Sequence, residues 1–145
     1  MNTLLFLPLL CHAEIVIEEL QRAELPPALL SGYRTKIVLT GNNQLTNRTT
    51  AEMLSGQVIS GHYRLKSDSD RPITINLKSN KDDKYIGLRK FSLVYKGRTY
   101  KNFPVTNLSS PGAGADIFIG FTAIVRSRAK EGERFPSYTI DVFEE

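Results

Sequence analysis

From Pro72 to Ser79 the chain alternates without a break: Ile73, Ile75 and Leu77 are apolar, and Thr74, Asn76 and Lys78 between them are polar. Side chains two residues apart share one face of an extended strand, whereas a helix needs apolar residues three and four apart. The period of two recurs elsewhere. Tyr33, Thr35, Ile37 and Leu39 share a face in the stretch from Tyr33 to Thr40, and the stretches His62–Lys66 and Tyr138–Phe143 alternate as well. Phe91-Ser92-Leu93-Val94-Tyr95 runs through Lys96-Gly97 into Arg98-Thr99-Tyr100, which reads as a hairpin whose glycine supplies the positive φ of a tight turn.

Ile117-Phe118-Ile119-Gly120-Phe121-Thr122-Ala123-Ile124-Val125 is apolar on both faces. It suits a central strand covered on both sides, with Gly120 placed where another backbone comes close. Between these runs lie turn-forming clusters such as Gly41–Thr50 and Pro111-Gly112-Ala113-Gly114-Ala115. A helix over residues 14–25 is the competing reading for the first segment, but Pro26-Pro27 would hold it to about three turns. The β-branched start Ile15-Val16-Ile17 favours a strand. About seven or eight short strands in one chain predict an all-β fold, an immunoglobulin-like antiparallel sandwich. With 145 residues the chain has room for one such core.

The front of the chain divides from the rest. Leu4 to Ala13 is a short apolar stretch ending in a small residue and followed by Glu14. It is too short to cross a bilayer, and it reads as the core of a signal peptide cleaved after Ala13, although no Lys or Arg precedes it. The alternatives are a first buried strand, or a true start codon further upstream. The expected organisation is therefore a signal peptide over 1–13, an N-terminal extension over 14–25 and a sandwich domain over 26–145. Cys11 is the sole cysteine and falls in the first of these, so the exported chain would contain no disulfide.

Little in the sequence points to catalysis. Outside the leader there is one histidine, His62, and the chain has no tryptophan. No nucleophile motif accompanies His62, and no enzyme activity is expected. Asp68 and Asp70, and Asp82 and Asp83, sit in ordinary turn compositions without the spacing of a calcium loop, so no metal and no cofactor are expected. The net charge of +4 comes from basic residues interleaved with acids, which reads as a dispersed, solvated surface rather than a nucleic-acid footprint. The aromatics Tyr63, Phe91, Tyr95, Tyr100, Phe103 and Tyr138 read as core, with a stacking platform for sugar or nucleic acid as the alternative.

Four stretches together resemble a known family: Ile73–Ser79, Leu88–Arg98 with its Tyr95-Lys96-Gly97 turn, Ala115–Ala123, and Glu131–Val142 with Gly132 and Phe135 before a terminal strand. Their order is similar to that of the pilin subunits of chaperone-usher fimbriae, especially the cysteine-free branch of colonization-factor pilins and the common pilus fimbrillin. The resemblance covers about half the chain and rests on order and spacing. It implies a sandwich lacking one strand, completed first by a periplasmic chaperone and then by the N-terminal extension of another subunit. It further implies an outer-membrane usher, other fimbrial subunits as partners, export through the periplasm to the cell surface, and adhesion to a host-surface receptor.

On that resemblance Ile15, Val16, Ile17 and Leu20 would form the donor strand. The acceptor groove and core would be Ile73, Ile75, Leu77, Phe91, Leu93, Ile117, Ile119, Phe121, Tyr138, Ile140 and Val142. This chain departs from the family's pattern at Glu18 and Glu19, which interrupt the donor alternation, so the segment could instead pair within its own domain. A complete secreted sandwich acting as a binding or inhibitor module is the alternative function.

Overall fold

The computed structural model describes residues 14–145, which form nine antiparallel strands and, among those residues, no helix. The strands are β1 (Ile15–Gln21), β2 (Thr35–Leu39), β3 (Gly61–Ser67), β4 (Ile73–Ser79), β5 (Ile86–Tyr95), β6 (Arg98–Tyr100), β7 (Val105–Leu108), β8 (Ala115–Val125) and β9 (Tyr138–Glu144). The expected signal-peptide segment 1–13 lies outside the described residues. One sheet has the order β1-β3-β8-β5-β6, with β2 also paired to β8, and the other has the order β7-β4-β9. Both sheets are open, and their apolar faces meet in an antiparallel β-sandwich.

The long strand β8 organises the larger sheet. Along one edge its first half pairs with β3 and its second half with β2, while β5 takes the opposite edge. Ile117 and Ile119 are completely buried, with Phe121 and Ala123 nearly so, on the face turned to the smaller sheet. The outer face is covered too, which accounts for the apolar residues there. His62 stacks on Phe118 at 4.4 Å, and the turn at Gly41 lies against Val94 and Phe118. Gly120 sits at the junction of β2 and β3, where a Cβ would run into the Leu39 carbonyl oxygen, the Ser92 hydroxyl and the Thr40 carbonyl carbon. Glycine is needed there because a backbone occupies the place of a side chain.

The dry interior draws on both sheets. Leu65, Leu93, Ile117 and Ile119 from one face Ile73 and Ile75 from the other, all with no exposure to solvent. The hairpin joining β5 to β6 turns on Lys96 and Gly97, both with positive φ (45° and 76°), as a two-residue turn matched to the strand twist requires.

Two strands differ from the sequence reading. β5 begins at Ile86, well before Phe91, because a bulge between Arg89 and Ser92 with Lys90 at φ 49° absorbs the two consecutive polar residues that break the alternation. β7 was not anticipated: its buried residues, Val105 and Leu108, are three apart, and Asn107 at φ 55° interrupts the pleat between them.

Candidate functional site

The sandwich is finished differently on its two sides. On one side the chain itself crosses between the sheets, from β6 through Lys101–Pro104 into β7. The Tyr95 hydroxyl donates to the Ser109 carbonyl at 2.7 Å, and Lys96 Nζ donates to Ser109 Oγ and to the Ser110 carbonyl at 3.1 and 2.6 Å. Burial pushes the Tyr95 phenol up to about 12, so it stays a neutral donor. The edge strands on this side, β6 and β7, are only three and four residues long.

On the other side β1 and β9 approach each other without forming a ladder. Each is seven residues long and, among the described residues, is hydrogen-bonded to one neighbouring strand only, β1 to β3 and β9 to β4. Each therefore keeps a row of backbone N–H and C=O groups without a strand partner. Two side-chain bridges reach β9 from β3, the strand behind β1. The Tyr63 and Tyr138 hydroxyls lie 2.9 Å apart, and Ser67 Oγ donates to Glu144 Oε1 at 3.0 Å.

Pairing register shows which residues line this seam. Ile15, Ile17 and Glu19 stand opposite Ser67, Leu65 and Tyr63, and so face the interior. Tyr138, Ile140 and Val142 stand opposite Ser79, Leu77 and Ile75, and face it from the other sheet. Yet Ile17 is 39% exposed while its partner Leu65 is 0% exposed, and Ile140 and Val142 are half-buried. The smaller sheet ends before it covers β1, so inward-facing apolar side chains remain wet.

Tyr138 is the corner of the seam. Its ring meets Phe91, Phe121 and Tyr63 at 5.7, 6.0 and 6.4 Å between centroids. Its hydroxyl lies where any side chain on Gly61 would collide with it, which explains the glycine that opens β3. Burial, reinforced by the hydrogen bond to Tyr63, raises the Tyr138 phenol well above its ordinary value and keeps it neutral.

The structure places the residues singled out in the sequence in three settings. Ile73, Ile75, Leu77, Phe91, Leu93, Ile117, Ile119 and Phe121 are buried core, and Tyr138, Ile140 and Val142 form the rim of the seam. The candidate donor segment, residues 14–20, lies at home: β1 pairs with β3 of the same chain, with Ile15 half-buried and Val16 and Leu20 exposed. Glu18 lies 3.7 Å from Lys66, and Glu19 lies 3.7 Å from Arg22, with both carboxylates about half exposed. Neither carboxylate is buried by this pairing.

Ser67 and Glu144, which latch the seam, gave no sign in the sequence, since single polar residues carry no period. The same holds for Glu145, whose carboxylate accepts from the Asn107 amide at 2.6 Å and from Thr74 Oγ1 at 2.5 Å, fastening the end of β9 to its own sheet.

A second polar group occupies the outer face of the larger sheet. Arg64 donates to both oxygens of Asp116, at 2.7 and 3.3 Å, and His62 Nε2 lies 3.0 Å from Asp116 Oδ2. The Arg64 hydrogen bonds, followed by that of His62, hold the Asp116 carboxyl down at about 2. The group joins a cation, an imidazole and a carboxylate with no hydroxyl or thiol in its hydrogen-bond network, so it binds the β3–β8 pair rather than assembling a nucleophile. Among the described residues no cluster of His, Cys, Asp and Glu could hold a metal. Asp82 accepts from the Ser137 amide and hydroxyl, and Asp83 from the amides of Tyr85 and Ile86, which makes both of them turn anchors.

No family model matches the chain, and no curated protein or solved structure matches it either.

Proposed function

We propose that this protein is a structural subunit of a bacterial surface fimbria, assembled by strand addition at the seam between β1 and β9. The observation that carries the reading is the exposure of Ile17 directly opposite the fully buried Leu65, beside two unpaired strand edges of seven residues each. An extended segment with apolar residues two apart would supply the backbone partners that β9 lacks and would cover Ile17, Ile140 and Val142. In this reading the segment 14–20 of another subunit is the donor, with Ile15 and Ile17 as its inserted side chains, and β1 exchanges β3 of its own chain for the neighbour's seam. A periplasmic chaperone and an outer-membrane usher would handle the subunit during export, and the fibre would contribute to adhesion.

The two bridges Tyr63–Tyr138 and Ser67–Glu144 favour a second reading, a complete secreted sandwich that binds a ligand or inhibitor target, because they latch the seam without outside help. Light scattering over a concentration series, with and without a peptide carrying residues 14–25, separates the two. Association with concentration, together with slowed amide exchange in β9 on adding the peptide, is expected of the subunit. Ile15→Asp with Ile17→Asp should then abolish association. A monomer at every concentration that is indifferent to the peptide would point to the binding module.

A further inference from the structure

The basic residues are interleaved with acids in the sequence, but the fold gathers five of them. Arg34, Lys84, Arg89, Arg126 and Arg128 line an open cleft of about 500 Å³. They come from three places in the chain: before β2, around the start of β5, and after β8. Pairing of Val125 with both Thr35 and Ile86 brings those three places into one row. Gly87 lies in the same lining and leaves it open, since a Cβ there would meet nothing within 4 Å.

Five cations elsewhere are matched to acids: Arg22 to Glu19, Arg64 to Asp116, Lys66 to Glu18, Arg71 to Glu144 and Lys78 to Asp141. No carboxylate lines the cleft, and among the described residues none of its five cations has an acidic side chain within 4.0 Å. Like charges collected without counter-charges repel one another and focus a positive potential, and a bound polyanion relieves both. Tyr85, also in the lining, carries the Arg134 guanidinium 4.4 Å and the Lys84 ammonium 4.9 Å from its ring centroid. The Arg134 Nε is buried without a partner.

We propose that this cleft binds a sulfated polysaccharide. Four of its five cations are arginines, whose planar forks grip the oxygens of sulfate or carboxylate groups two at a time. Five charges along an open row suit an extended, repeating anion better than a single small one. Single-stranded nucleic acid needs aromatic faces on which its bases stack, and the one aromatic ring in the lining already has two cations over it. No residue of the β1/β9 seam lines the cleft, so the proposal stands apart from the assembly reading.

The test is titration of the full chain with a heparin octasaccharide and with a single-stranded oligonucleotide of equal charge, at low and physiological salt. Arg89→Gln with Arg126→Gln should weaken heparin binding about tenfold or more, the loss expected when two charge-assisted hydrogen bonds are removed. Arg98→Gln with Lys101→Gln removes the same charge at the β6 edge and should leave binding within about threefold, since only net attraction is lost there. Unchanged melting temperatures verify that both variants fold. Equal losses in the two variants would overturn the proposal in favour of net-charge attraction. A tighter, cleft-dependent complex with the oligonucleotide would overturn it in favour of nucleic acid, and no heparin binding at all would also overturn it.

Discussion

On one side of the sandwich the chain itself closes the gap, running from β6 into β7, and these two edge strands are three and four residues long. On the other side β1 and β9 present two seven-residue edges with no ladder between them, and two side-chain hydrogen bonds from β3, the neighbour of β1, reach β9. A covalent crossing seals a sandwich permanently, whereas a pair of side-chain bridges can open. Short edges also resist pairing with other chains, and long ones invite it. The difference teaches that the two sides are held in different ways: the β6/β7 side is closed by the chain itself, and the β1/β9 side keeps two long edges without a strand partner.

The comparison predicts a gradient of mutational cost. Ile119→Ala, in the dry interior, should cost about 3–4 kcal/mol in denaturant unfolding, whereas Ile140→Ala at the seam should cost about 1 kcal/mol because water already reaches it. Equal costs would mean the seam is as well sealed as the core. Gly120→Ala comes next, at about 2 kcal/mol, because its Cβ runs into the Leu39 carbonyl and β2 must move to admit it. Tyr138→Phe should cost about 1 kcal/mol, and its sharper signature is kinetic: amides of β1 and β9 should exchange faster while those of β5 do not change. Uniform acceleration in all three strands would show that the seam does not open separately.

The smallest effect concerns the outer face, away from both sides. The Asp116 carboxyl titrates lower in the folded chain, at about 2, than its ordinary 3.8. Folding therefore favours the charged form, and the stability this gives is complete above the ordinary value and fades as pH falls toward 2. Asp116→Asn should flatten that part of the stability curve without altering exchange at the seam. A change at the seam would show that the outer face and the edge are coupled.

Alternation made most of the sandwich legible. Residues 73–79, the β5–β6 hairpin and the two-sided apolar run of β8 all lie where their periods place them, and Gly120 meets a backbone as its position in the run suggests. The sequence stops being readable where the pleat is interrupted. The bulge at Arg89–Ser92 concealed the start of β5, and the left-handed Asn107 concealed β7. The apolar rim of the seam was visible as strand residues, but its openness was not, because exposure at an edge depends on which sheet ends first. The gathering of Arg34, Lys84, Arg89, Arg126 and Arg128 was hidden for a similar reason: a linear count shows mixed charge, and only the pairing of β2 and β5 with β8 sorts it.

The central place of β8 also sets a timetable. The strands β2, β3 and β5 all precede their shared partner in the chain, and β8 does not begin until Ala115. As the polypeptide is synthesised from its N-terminal end, β2 and β5 wait for that partner and β3 has only the distant β1 to pair with, while the local β5–β6 hairpin can form at once. Folding of this protein should accordingly be slow and dominated by distant pairings, with a window in which the apolar strands that flank β8 lack their central partner. A guardian that shields apolar strands during that interval would matter to the yield of folded protein, whatever the domain goes on to do.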